Sequence, residues 1–313
     1  MVYEHEKKEK LKKLEKEAVW RERKILFGAV SFFIFIMPYL VHLCVNGIQP
    51  AQTQDLWYSN QTIQVIVGEN KENIFLESYL VGALARCATA DYGEEALKAI
   101  AVVLRSNAVC TILEEGAVLR SSFYTDDELK ILWGKDYEAN LQYFRNAVES
   151  TRGIVIFYRG EIVRVPYHKV SAGVTRESGI GEAIPYLTSV ESSEDMYGDE
   201  YYKIIEISKK VLGEKFIIKT MDAYGYVLRV QLGEMEMSGE AFRKEYGLPS
   251  ACFEYEERED AHFFYVRGVG HGYGLSLYGA NALSQKGRSF AEILEYYYKE
   301  IEIRKENRSD IVA

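Results

Sequence analysis

The sequence predicts a mixed α/β (α+β) domain held outside a membrane by one N-terminal helix. Ile25 to Val45 (ILFGAVSFFIFIMPYLVHLCV) carries no charged side chain. Beyond it the hydrophobic spacing changes several times between the alternation of strands and the three-and-four spacing of helices. No internal repeat, low-complexity run or convincing linker divides the chain after residue 62, so residues 63–305 are expected to form one domain, with 306–313 as a tail.

The charge-free run is long enough to span a bilayer, which takes roughly 20 apolar residues, and too long for the roughly 7 to 15 of a cleaved signal core. Pro38 within it is tolerable, because neighbouring groups re-satisfy the freed carbonyl. Residues 1–24 hold nine Lys/Arg and six Glu, whereas residues 46–62 (NGIQPAQTQDLWYSNQT) hold no Lys or Arg. The positive-inside bias therefore makes 1–24 a cytoplasmic tail, 25–45 a single-pass anchor in the cell membrane and 46–62 an outer stalk.

Removing that tail from totals of 38 basic and 47 acidic residues leaves 29 against 41, a net charge of −12 on the outer part. Such an acidic domain argues against nucleic acid, whose binding rests on phosphate neutralisation by Lys and Arg. Cys44, Cys87, Cys110 and Cys252 are scattered and form no C-x-x-C pair. A disulfide framework is not expected, and about 260 residues can bury a core without one.

Ile63-Gln-Val-Ile-Val reads as a first strand by its β-branched content. From Ile74 the period becomes helical, and Leu76, Tyr79, Leu80, Ala83, Leu84 and Cys87 share a face. After a break at Thr89–Gly93, Asp91 and Glu94 resemble a capping box for a second helix. That helix would bury Ala96, Ala99, Ile100, Val103 and Leu104 and pair Glu94 with Lys98 on its surface. A third helix is expected over Tyr137–Ser150, followed by a hairpin, GIVIFY and IVRVPYH, turning at Arg159-Gly160-Glu161. HKVSAGVTRESG reads as irregular, strands are expected near 203–208, 215–219, 225–232 and 262–268, and two amphipathic helices come after a glycine-rich turn at the end.

Three segments set polar groups among glycines, where backbone can approach a ligand closely: Arg86-Cys87-Ala88-Thr89, His168–Glu177 and Gly268–Tyr278. The run Tyr79–Arg105 resembles Y-x-x-G-V-V-A-S-E-M-P followed by E-A-L-K-A-Q-A-x-A-A-R. YHKVSAGVTRES resembles Y-H-S-T-S-G-G-x-T-E, with Ala172 for the first Gly, and IPYLTSV resembles I-P-Y-L-x-S-V. GHGYGLSLYGANALSQKG resembles G-H-G-V-G-M-S-Q-Y-G-A-x-x-x-A-x-x-G. In this order, over about residues 60–303, the motifs resemble those of the SpoIID/LytB family.

The resemblance implies a membrane-anchored or secreted cell-wall protein of sporulation acting on, or binding, peptidoglycan glycan strands. Its active members are lytic transglycosylases, and its amidase-enhancing members imply a wall amidase or other engulfment proteins as partners. In the active enzymes the Glu of A-S-E-M-P gives a proton to the leaving glycosidic oxygen. It then takes one from the sugar's 6-hydroxyl, closing an anhydro ring. Here that position is Cys87, and Ile100 and Leu277 stand where the family has Gln.

A thiol with a reference pKa of about 8.5 is a poor general acid, so weakened or lost catalysis is expected. Cys87 also fits a small buried hydrophobe, or a nucleophile beside His168 or His271. Glu94 or Glu95 could replace the missing acid, although a helix's first turn suits capping or dipole work. The resemblance implies Arg105, His168, Ser171, Gly173, Thr175, Glu177, His271, Gly272, Ser276 and Tyr278 as substrate-binding residues. No cofactor is implied, and a metal site is not expected because no Cys lies between 110 and 252 to join His168. The glycines of the last segment lack the Lys-Ser/Thr of a phosphate loop, whereas Tyr273 and Tyr278 suit stacking on sugars.

Overall fold

The computed structural model describes Trp20 and residues 62–67, 70–115, 118–119, 123–178 and 184–306. The expected anchor at 25–45 and nearly all of the stalk lie outside these residues. Thr62 already belongs to the first strand, and Glu306 is buried with its N–H on the Gly153 carbonyl, so the last strand is anchored where a tail was expected to begin.

β1 (Thr62–Val67) pairs antiparallel with β2 (Asn70–Phe75) and parallel with β3 (Val118–Leu119). β2 runs directly into α1 (Leu76–Cys87), whose apolar face is buried as the spacing predicts. Next comes α2 (Glu94–Glu115), the axis of the larger core, and it is enclosed on more than the one expected face. Leu97, Ala101, Val102 and Val109 are buried along with Ala96, Ala99, Ile100, Val103 and Leu104. The cause is its surroundings: α1, α4 (Tyr137–Ser150), α7 (Leu277–Gln285), α8 (Phe290–Tyr297) and β4 (Ile154–Tyr158) all pack against it. By length and composition α2 could cross a membrane, but its burial inside the fold accounts for its apolar character.

The Asp91–Glu94 capping box does not form. The Gly93 N–H at the start of α2 instead donates to Asn281 Oδ1 of α7 at 2.9 Å. The expected surface pair is present, with Lys98 Nζ 2.6 Å from Glu94. A short helix not among those expected, α3 (Asp126–Trp133), is opened by a Thr125–Glu128 capping box. The hairpin turns between β4 and β5 (Glu161–Ile162) on Arg159 and Gly160, both with positive φ, as a two-residue primed turn requires. β14 (Glu302–Lys305) returns to pair with β4.

All described residues from Thr62 on belong to one compact unit. It contains a second core, however, contributed by residues inserted between the His168 and Gly268 segments. β7 (Tyr202–Ser208), β11 (Phe253–Glu257) and β12 (Ala261–Arg267) form one antiparallel sheet. β8 (Phe216–Met221), β9 (Val227–Leu232) and β10 (Met235–Ser238) form another, joined by α5 (Lys209–Leu212) and α6 (Gly239–Glu245). Phe216, Phe242, Phe253 and Phe264 meet between them, with Phe216 edge-on to Phe264 at 5.2 Å between ring centroids.

Candidate functional site

The C-terminal end of α1 places Arg86 and Cys87 at an open groove. Gly82, one turn earlier, allows the 123–125 segment to cross α1, since a Cβ there would lie 2.1 Å from the Tyr124 carbonyl oxygen. The Tyr124 N–H bonds the Gly82 carbonyl at 3.2 Å, which brings the Tyr124 ring under the Arg86 guanidinium at 4.7 Å. Opposite, β6 (Tyr167–His168) lies parallel to β13 (Leu275–Ser276). Gly274 makes this approach possible, because a Cβ would fall 2.0 Å from the Pro166 carbonyl oxygen.

Two cavities meet at Arg86, Cys87 and Lys169, with volumes of about 550 and 630 Å³. The first is lined by Tyr79, Tyr167 and Arg164 among others, the second by Tyr92, Tyr124, Trp133 and Tyr278. Half-buried aromatic rings therefore flank Cys87 on both sides, Tyr167 in the first cavity and Tyr92, Tyr124, Trp133 and Tyr278 in the second, with Tyr79 buried behind the first.

Cys87 donates from Sγ to the Tyr167 hydroxyl at 3.7 Å, and burial pushes the thiol above its ordinary pKa against the opposing pull of Tyr167 and Arg86. A thiol held protonated is neither a ready nucleophile nor a tuned acid. Successive strand residues face opposite ways, so while Tyr167 faces the groove, His168 turns into the protein. Its Nδ1 donates to the Tyr273 carbonyl at 3.0 Å, leaving Nε2 buried without a partner among the described residues. His271, 5.8 Å away between ring centroids, accepts the Tyr273 N–H on Nδ1 at 3.0 Å. Neither imidazole bonds the thiol.

Arg105, expected at the substrate, is fully enclosed and forms a double hydrogen bond with Glu77 at 2.9 and 2.7 Å. It belongs to the core because α2 points it at α1 rather than at the groove. Ser171, Thr175 and Ser276 are likewise fully buried, so they support the groove wall from behind rather than touch a ligand. Thr175 bonds the Val190 backbone, the Gly173 carbonyl accepts the Ser192 N–H, and the Gly272 carbonyl accepts the Arg176 N–H. Glu177 is exposed and lines neither cavity, while Tyr278 alone of the expected binding residues lines the groove. Glu94 and Glu95 are committed elsewhere: Lys98 pairs with both, and Glu95 also accepts the Phe290 N–H at 2.7 Å.

Two residues that the motifs did not single out hold the segments together. Asp195, 0% exposed, accepts the Ser171 N–H at 2.9 Å and the Ser276 hydroxyl at 2.8 Å. Burial raises its carboxyl pKa against the hydrogen bonds of Ser171, Ser276 and Ser192. Arg176 reaches Asp222 at 2.7 Å and the His271 carbonyl at 3.3 Å, with the Tyr226 and Tyr273 rings 4.6 and 4.4 Å from its guanidinium. Asp195 reads as surface in the acidic run E-S-S-E-D, and nothing local distinguishes Arg176.

A stage II sporulation protein family model matches residues 68–158, which include α1, α2 and the first half of the groove. Stage II sporulation protein D of Bacillus subtilis (strain 168) is 30% identical over 260 residues, covering 75% of this chain and 76% of its own. The chain belongs to the stage II sporulation protein D family. Its counterpart in Bacillus amyloliquefaciens is 30% identical over 257 residues, 74% of this chain and 75% of that one. An uncharacterized protein of Brachyspira hyodysenteriae is 26% identical over 285 residues, 84% of this chain and 74% of its own.

The buried His168 imidazole and its half-buried neighbour His271 make the stability of this family member depend on pH. Desolvation and the nearby His271 hold His168 down at about 3, whereas an unfolded imidazole titrates near 6.5. Between those values the unfolded chain binds the proton and the folded chain does not, so stability falls as pH falls. The expected loss is up to about 1.4 kcal/mol per pH unit from His168. Desolvation also lowers His271, which adds in the same direction. Urea midpoints at pH 7 and pH 5 measure the loss, and His168→Gln should flatten the profile; equal slopes in the two proteins would refute the assignment.

Proposed function

We propose that this stage II sporulation protein D relative is a membrane-anchored, extracytoplasmic protein that binds peptidoglycan glycan strands in its groove with its lytic transglycosylase activity lost or much weakened. The observation that carries this reading is Cys87 between two aromatic-lined cavities, at the position where the family resemblance sets the catalytic Glu. The aromatic rings supply stacking faces, while the protonated thiol supplies no acid near neutrality. Residues 25–45 anchor the chain in the membrane, and a wall amidase or another engulfment protein is the expected partner.

The test is incubation of the purified full chain, in mild detergent, with glycan strands stripped of their peptides. Mass spectrometry then counts anhydro-muramyl ends. The expected result is binding without new ends, and new ends from Cys87→Glu. A positioned general acid contributes about 10²–10⁴-fold, so the difference should be plain. Anhydro ends from the unmodified chain would overturn the loss of catalysis and direct attention to the groove carboxylates Asp91, Asp199 and Glu200. Failure to retain the strands would overturn the glycan reading itself.

A further inference from the structure

We infer that Arg86, with Arg164 and Lys169 beside it, forms a carboxylate-binding subsite on one side of Cys87, so that the groove accepts a glycan in one register only. This inference rests on the glycan reading above and adds to it which sugar lies where. The groove is electrically lopsided. Arg86, Arg164 and Lys169 line the 550 Å³ cavity, and no Asp or Glu is among its lining residues. Arg86 and Lys169 also border the other cavity, but there Asp91, Asp199 and Glu200 outnumber them, so only the first cavity, with Arg164 added, is cationic throughout. A cavity walled by three cations goes against the trend of an outer part carrying net charge −12.

The cations are held in place. The Asn107 side chain clamps Val165 by accepting its N–H and donating to its carbonyl, both at 2.8 Å. The Arg164 carbonyl accepts the Tyr186 hydroxyl at 2.9 Å and the Val163 N–H bonds the Ile156 carbonyl at 3.1 Å, so the backbone carrying Arg164 is fixed on both sides. Arg86 lies over the Tyr124 ring and makes no ion pair among the described residues, which leaves its guanidinium edge for a ligand. Arg164 and Lys169 are paired with Glu114 at 2.8 Å and Glu200 at 2.5 Å, but all four side chains are exposed, and such pairs exchange at little cost.

The matching ligand is a sugar carrying a carboxylate beside a neutral amino sugar. A glycan of alternating N-acetylglucosamine and N-acetylmuramic acid, freed of peptide, bears one lactyl carboxylate on every second ring. Placing that acid against Arg86 and Arg164 puts the neutral neighbour across Cys87, toward Tyr92 and Tyr278. A shift by one ring would bring the carboxylate away from Arg164 and toward Asp91, Asp199 and Glu200, whose excess over Arg86 and Lys169 opposes it.

The test measures retention of the full chain in detergent on three ligands. They are denuded strands, the same strands with their lactyl carboxylates converted to methylamides, and a chitooligosaccharide. The expected result is about tenfold weaker binding to the amidated strands, the order of one charge-assisted contact. Arg86→Gln and Arg164→Gln should each reduce that preference while leaving the chitooligosaccharide unchanged. Arg86→Lys should restore part of it, and salt should shrink it in the unmodified chain. Unfolding midpoints of the variants establish that they are folded. Equal retention of denuded and amidated strands overturns the carboxylate subsite while the glycan reading stands. Variants that weaken all three ligands alike overturn it too, whereas retention of none of them by the unmodified chain removes both readings.

Discussion

Arg105→Ala is expected to destabilise the protein by about 3–5 kcal/mol, since it leaves a buried carboxylate without its counter-charge. Glu77 is 4% exposed and Arg105 fully buried, and they meet through two parallel hydrogen bonds between α1 and α2. The same guanidinium donates to the carbonyls of Val148 at 3.0 Å and Ile154 at 3.2 Å, which ties the end of α4 to the start of β4. One side chain on α2 thus reaches three other elements, and its loss takes a donor from acceptors in α1, α4 and β4. Urea denaturation measures the effect. Replacing both partners, Glu77→Leu with Arg105→Met, should recover a good part of the stability, because neither charge is then stranded. A loss below about 1 kcal/mol for Arg105→Ala would mean that water reaches Glu77.

That pair also shows why a sequence motif is a poor guide to what touches a ligand. Arg105 closes a motif that the resemblance associates with substrate, and nothing in the spacing separates a core arginine from a groove arginine. The reading is sounder where a local pattern decides the outcome. Tyr137–Ser150 is the helix expected, because Phe144, Ala147 and Val148 make a stripe that α1 and α2 bury. Strands at 202–208, 227–232 and 261–267 arise from short β-rich runs between turn residues.

What the sequence leaves hidden is made by long-range contact. The second core brings Phe216, Phe242, Phe253 and Phe264 together from four separate elements, and no linker marks its boundary. The cap of α2 comes from Asn281, across 188 residues, so the local Asp91–Glu94 pattern loses to a tertiary partner. By contrast α3 had a readable signal in Thr125-Asp-Asp-Glu128, a capping box before a short apolar turn. Cys87 was legible as a departure from a motif. That its thiol meets Tyr167, and neither histidine, depends on the alternation of β6 side chains against β13.

Asp195→Ala should cost about 2–4 kcal/mol and weaken glycan retention, although Asp195 touches no ligand. Its carboxylate is the shared acceptor for the Ser171 N–H and the Ser276 hydroxyl, and each buried donor left without a partner costs about 1–3 kcal/mol. The consequence travels along bonds that can be named. Ser276 Oγ also accepts the Gly279 N–H at 3.2 Å and so caps α7, the helix that carries Tyr278 and Asn281. Asn281 in turn holds the Gly93 N–H, which ends the 88–93 loop beneath the second cavity. Loosening Ser276 should therefore disturb a groove aromatic and the loop facing it in one step. Asp195→Asn retains one acceptor oxygen for the two donors and should lose about half as much stability. Urea midpoints and retention on denuded strands, measured for both variants, check the coupling. If Asp195→Ala lost stability but held the strands as tightly as the unmodified chain, the hub would support the fold without shaping the groove.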